Sequence, residues 1–217
     1  MSRRVPRFDL VLSSQANAAI SIVRAGEIAH ASGGPAIRKE WSISRLEALH
    51  ELAYLRVFAA WEMFLEAVFY RSLCGYASTA GQETLVEGAY YSSLTAAETA
   101  VLGTRNTYLL WHSPQKVIDR CRRHIRSGPG FPARQETVIA SNLARLESLA
   151  ATRHRIVHDH ADAKRKFDNA TLHIAGRTYS ASRPGRFLRD WDHSTLPRRR
   201  WLEVTIAELT SLARQIV

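Results

Sequence analysis

From Ser44 to Cys74 the chain carries no glycine or proline, and Leu46, Leu49, Leu52, Leu55, Val57, Phe58, Trp61, Phe64, Leu65, Val68 and Phe69 recur within it at short helical steps. That spacing gives a long helix one broad apolar face. Such a face has to be covered by other helices. The expected fold is therefore mainly α, a bundle of long antiparallel helices with a small β-hairpin or irregular appendage near the C-terminus.

The rest of the chain supplies the covering helices. Residues 14–31 are rich in Ala and Ile without a breaker, and SGGP at 32–35 stops them. Ser44–Glu47, Thr95–Glu98 and Thr205–Glu208 have capping-box spacing, so each is expected to open a helix. Ser113-Pro114 suits the start of a helix to about Arg126. After the break SGPGFP at 127–132, one helix is expected from about Arg134 onward. Val138, Ile139, Leu143, Leu146 and Leu149 mark its buried face. Thr171–Tyr179 alternates around Ala-Gly and reads as a hairpin. Residues 180–200 read as an irregular basic loop, and a terminal helix closes the chain. The whole, residues 1–217, is expected to be one domain with its core at about 45–165, a hairpin and basic loop at 167–204 and the last helix at 205–217.

Charge is the next constraint. Residues 1–112 hold ten Lys+Arg and ten Asp+Glu, so the whole net charge of +10 lies in residues 113–217. Lys116, Lys164 and Lys166 are the only lysines there; the remainder is arginine, whose planar fork matches phosphate. A polyanion is the expected partner, most simply nucleic acid. No apolar run is long enough for a membrane span, and the start of the chain does not read as a signal peptide, so a cytoplasmic protein without a membrane partner is expected. Cys74 and Cys121 lack metal spacing and read as reduced thiols.

The residues that carry chemistry lie in RHRIVHDH, 153–160. Three readings stand side by side. One is a solvated basic helix face, with Ile156 and Val157 anchoring the core. A second is a metal site from His154, His158 and Asp162, although the pattern lacks the Glu of HExxH and is crowded by arginines. The third is phosphodiester cleavage, in which a histidine moves protons and an arginine holds the phosphate. One Arg and one His are half of such a site, and a symmetric dimer would supply the other half.

Arg153-His154-Arg155-Ile156-Val157-His158 resembles the RxxxxH signature of the HEPN superfamily, with a polar residue after the Arg and an apolar pair before the His. Its context is similar too, since an earlier long helix carries the acidic-aromatic stretch Ala60–Glu66. The pattern resembles the prokaryotic defence- and toxin-associated branch, including the RiboL-PSP type, over roughly residues 45–165. The resemblance implies an all-α homodimer whose motifs face each other, acting as a metal-independent endoribonuclease with no cofactor. It implies that Arg153 binds phosphate, that His158 is the acid/base, that His154 assists, and that Glu62 or Glu66 positions them. It also implies an antitoxin or other defence-system protein as a possible partner.

A second register is present. Arg155 and His160 share the spacing, but Ile156 then follows the Arg and Asp159 precedes the His, so Arg153/His158 is favoured. Lys164, Arg165, Lys166 and Arg155, and Arg122 and Arg123 within the cluster 120–126, are candidate RNA contacts. Arg183, Arg186, Arg189 and Arg198–Arg200 are interleaved with Phe187, Trp191 and Trp201. These can hold single-stranded RNA, or the aromatics can pin the loop to the core. The alternative to an enzyme is a non-catalytic HEPN-type RNA- or partner-binding module.

Overall fold

The computed structural model describes residues 3–103, 108–126, 134–194 and 196–217. Among them the protein is mainly α, with ten α-helices and one two-stranded antiparallel sheet near the C-terminus. In chain order the helices are α1 (Phe8–Ser32), α2 (Pro35–Glu40), α3 (Ile43–Leu73), α4 (Leu94–Leu102), α5 (Pro114–His124), α6 (Arg134–Ser141), α7 (Leu143–Val157), α8 (Ala161–Ala175), α9 (Pro184–Arg189) and α10 (Trp201–Ile216). The strands are β1 (Trp191–Asp192) and β2 (Arg199–Arg200), with Trp191 opposite Arg200. No helix among the described residues is long and apolar enough to cross a membrane. Cys74 and Cys121 are both free thiols.

The long helix forms as its sequence demands. Leu46, Ala53, Tyr54, Val57, Phe58, Trp61, Phe64, Leu65, Val68, Phe69 and Leu73 are all buried along α3. Leu52 falls off the stripe and is 64% exposed. The helix begins ahead of the expected Ser44–Glu47 box, because the Leu46 amide bonds the Ser42 carbonyl. Glu47 is then free of capping and turns to Arg183 instead. The second box is displaced similarly, with Ser93 rather than Thr95 accepting from the Ala96 amide at the start of α4. The third is interior, since α10 already begins at Trp201 and Thr205 is fully buried. Ser113-Pro114 does open α5, with proline in the first turn.

Three further corrections concern the second half. The single helix expected from Arg134 is two, α6 and α7, parted at Asn142, whose side-chain amide donates to the Val138 carbonyl. The hairpin expected at 171–179 is the last turn of α8 followed by a non-helical link. Ala163, Phe167, Ala170 and Thr171 are buried at helical steps, and Gly176 ends α8 with a left-handed backbone that glycine adopts without strain. The stretch 180–200 is structured by a 3₁₀ turn (Ser180–Ser182), α9 and β1, while the break 127–132 lies outside the described residues.

Contacts divide the chain into two compact units. One takes residues 1–12, 61–146 and 211–217. Its core is aromatic, with Phe69 edge-on to Trp111 at 5.5 Å and the Arg120 guanidinium over the Trp111 ring at 4.1 Å. Val117, Ile118 and Cys121 of α5 are buried there.

The other unit takes residues 13–60 and 147–210. The Tyr54 hydroxyl donates to the Leu149 carbonyl at 2.8 Å, tying α3 to α7. Phe187 of α9 is fully buried, with Phe167, Tyr179 and Trp201 around it at ring-centroid distances of 6.1, 5.4 and 5.8 Å. α9 lies tightly on α3, since a Cβ at Gly185 would stand 2.5 Å from the Glu47 carbonyl oxygen. The Gly185 amide donates to Glu51 at 2.7 Å in the same contact.

Candidate active site

RHRIVHDH straddles the end of α7 and the start of α8, and both helix ends depend on its residues. α7 stops at Val157, and the His158 amide still closes a turn on the His154 carbonyl at 2.9 Å. Ile156 and Val157 do not anchor this end in the core. Ile156 is half-buried and Val157 is 50% exposed, because the buried positions of α7 are Leu146, Ser148, Leu149 and Thr152.

Three imidazoles gather where the chain turns. The ring centroids of His154 and His158 are 4.5 Å apart, those of His154 and His160 5.4 Å, and those of His158 and His160 5.8 Å. His154 is half-buried, while His158 and His160 are exposed. Burial lowers the His154 pKa, and the positive neighbours His158, His160, Lys166 and Arg153 lower it further. His154 therefore keeps a free lone pair near neutral pH and can accept a proton. Arg153 is half-buried on the same helix.

The residues of the second register have structural work. His160 is the N-cap of α8, its Nδ1 accepting from the Ala163 amide at 3.2 Å. Arg155 is mostly buried, donates through Nε to the Ser182 carbonyl and through Nη1 to the His158 carbonyl, both at 3.1 Å, and lies 3.2 Å from Asp159. It clasps the 3₁₀ turn to the end of α7.

The other candidates are partly neutralised. Lys164 pairs with Asp159 at 3.0 Å, and Arg165 and Lys166 pair with Asp162 at 2.6 and 2.7 Å. Lys166 and Arg165 hold the Asp162 carboxyl down at about 2, so the third ligand of the metal reading is engaged by two cations. Among the described residues no group of three His, Cys, Asp or Glu is arranged to hold a metal ion.

Glu62, Arg122 and Arg123 belong to the unit that does not contain the motif. Glu62 accepts from the Tyr108 hydroxyl at 3.3 Å and lies 3.8 Å from His112. Arg122 pairs with Glu136 at 2.7 Å, and Arg123 is exposed.

Sequence reasoning missed a buried histidine. His50 of α3 has no exposed surface; its Nδ1 bonds the Leu46 carbonyl at 2.7 Å and its Nε2 is 3.8 Å from Glu27. Burial lowers its pKa, as it does for His124 and His154. A histidine depressed in the fold contributes stability that is complete above its unfolded value, here 6.5, and that is lost as the pH falls below it. Melting temperature should therefore drop between pH 7.5 and pH 5, before the carboxylates titrate, and drop less steeply in His50→Asn. A flat wild-type profile over that window would contradict this account.

No protein-family model matches the chain, and neither a curated protein nor a solved structure matches it.

Proposed function

We propose that this protein is a HEPN-like, metal-independent endoribonuclease that works in the cytoplasm as a homodimer. The observation that carries the reading is the pair His154 and His158, with rings 4.5 Å apart at the open end of α7 and Arg153 on the same helix. A phosphodiester needs a group that takes the 2′-hydroxyl proton, a group that returns one to the leaving oxygen, and positive charge on the phosphate between. His158 is the acid/base, His154 the neutral helper beside it, and Arg153 the phosphate ligand. The rival pair is less free to react, because Arg155 clasps two carbonyls and His160 caps a helix.

The chemistry asks for a dimer, since one Arg153 and one His158 are half of an acid–base site on a phosphate. Two copies would offer two of each, and the exposed Val157 beside His158 is apolar surface that a second copy would cover. RNA is the substrate, and an antitoxin or other defence-system protein is the proposed regulator. The test is cleavage of single-stranded RNA in excess EDTA. Wild type should cleave and Arg153→Ala should be slowed by about a hundredfold or more. Equal rates for the two, or loss of wild-type cleavage in EDTA, would overturn the reading.

A further inference from the structure

The arginines of residues 177–200 wall a cleft that the ribonuclease reading does not use. The cleft measures about 880 Å³ and lies within the unit formed by residues 13–60 and 147–210. That is the size of sites that take small molecules, roughly 300–1,000 Å³. Five guanidiniums line it, from Arg177, Arg183, Arg186, Arg189 and Arg200, against two carboxylates, Glu47 and Asp190.

The five differ in how they are held and how far they reach solvent. Arg189 and Arg200 are both fastened to Glu27, at 2.7 and 2.9 Å. Arg200 also lies over one face of Trp191, 4.5 Å from the ring centroid, and Trp191 remains 41% exposed. Arg177 and Arg183 pair with Asp190 and Glu47 but are about half exposed, so their forks can turn to a ligand. Arg186 is exposed and has no ion-pair partner among the described residues.

Even with Glu27 counted, the carboxylates do not balance the arginines. Like charges gathered around one hollow repel each other unless an anion offsets them. Guanidinium forks bind phosphate oxygens two at a time, so three forks that reach solvent suit more than one phosphate. The part-exposed indole, with Arg200 over one face, offers a surface on which a base can stack. A hollow of this bounded size suits a compact ligand better than a long polynucleotide.

We propose that this cleft binds a nucleotide carrying two or more phosphates, with Arg177, Arg183 and Arg186 on the phosphates and the base against Trp191. The site is separate from the histidine cluster, and its test needs no cleavage activity, so the ribonuclease reading can fail without touching it.

The experiment is calorimetric titration of the full chain in EDTA with ADP, ATP, AMP, pyrophosphate and a short 5′-hydroxyl RNA. ADP and ATP should bind, with AMP about tenfold weaker or worse. Arg186→Ala and Trp191→Ala should each weaken ADP by about tenfold, and Arg186→Ala, whose side chain is exposed, should keep a melting temperature near wild type. Four results would each overturn the proposal. They are no binding of ADP or ATP at millimolar concentration, pyrophosphate equal to ADP and indifferent to Trp191→Ala, RNA tighter than ADP, and ADP affinity unchanged in Arg186→Ala.

Discussion

His158→Ala is expected to slow RNA cleavage in EDTA by at least about a hundredfold, the usual contribution of a positioned acid or base, whereas His160→Ala should slow it by less than about tenfold. The two histidines are two residues apart and both exposed, so position in sequence does not separate them. Their bonds do. His160 spends Nδ1 on the Ala163 amide, and removing a cap of this kind costs about 1 kcal/mol of stability. His160→Ala should therefore show itself in the melting temperature, and His158→Ala in the rate. Initial rates and thermal melts on the same preparations check both halves. Activity lost in His160→Ala and kept in His158→Ala would select Arg155/His160 instead.

Phe187→Ala should destabilise the protein by about 4 kcal/mol. The ring is fully buried and touches Phe167, Tyr179 and Trp201, so truncation removes apolar burial and three aromatic contacts together. α9 rests on α3 with Gly185 against Glu47, which leaves little room for the backbone to collapse into the hole. A domain of ordinary stability, roughly 5–15 kcal/mol, would be left marginal by such a loss. Urea denaturation measures it. A cost under about 1 kcal/mol would mean that α9 does not seal this core.

The fold class was legible because α3 is long, free of breakers and striped, and tertiary context has little power to override such a segment. Shorter signals failed where several physical explanations produce one pattern. Ala175-Gly176 suits a hairpin turn and a helix stop equally, and what decided for helix was burial of Phe167, Ala170 and Thr171 on one side of α8. Glu47 has capping-box spacing, but a guanidinium far along the chain competes for it and wins. The same long-range pairing absorbs part of the charge of the basic second half. Arg183, Arg189 and Arg200 turn to Glu47 and Glu27, acids more than a hundred residues earlier, and no local window contains both partners.

Of the aromatics of 187–201, Phe187 and Trp201 pin the segment to the core, while Trp191 stays part-exposed at the cleft. In the motif, the spacing of arginine and histidine was visible in the sequence. What could not be seen was where α7 would stop, and so which histidine would become a cap.

The central claim, a composite Arg/His site that needs two copies and no metal, is tested most directly by mixing wild type with a dead variant. His158→Ala alone should be nearly inactive on RNA in EDTA. Unfolded together and refolded, the two chains should form mixed dimers, seen by native mass spectrometry, that cleave far more slowly than half the wild-type rate, because the site draws on both copies. Mixed dimers that keep half the wild-type rate, or a chain that does not dimerise at all, would contradict the account.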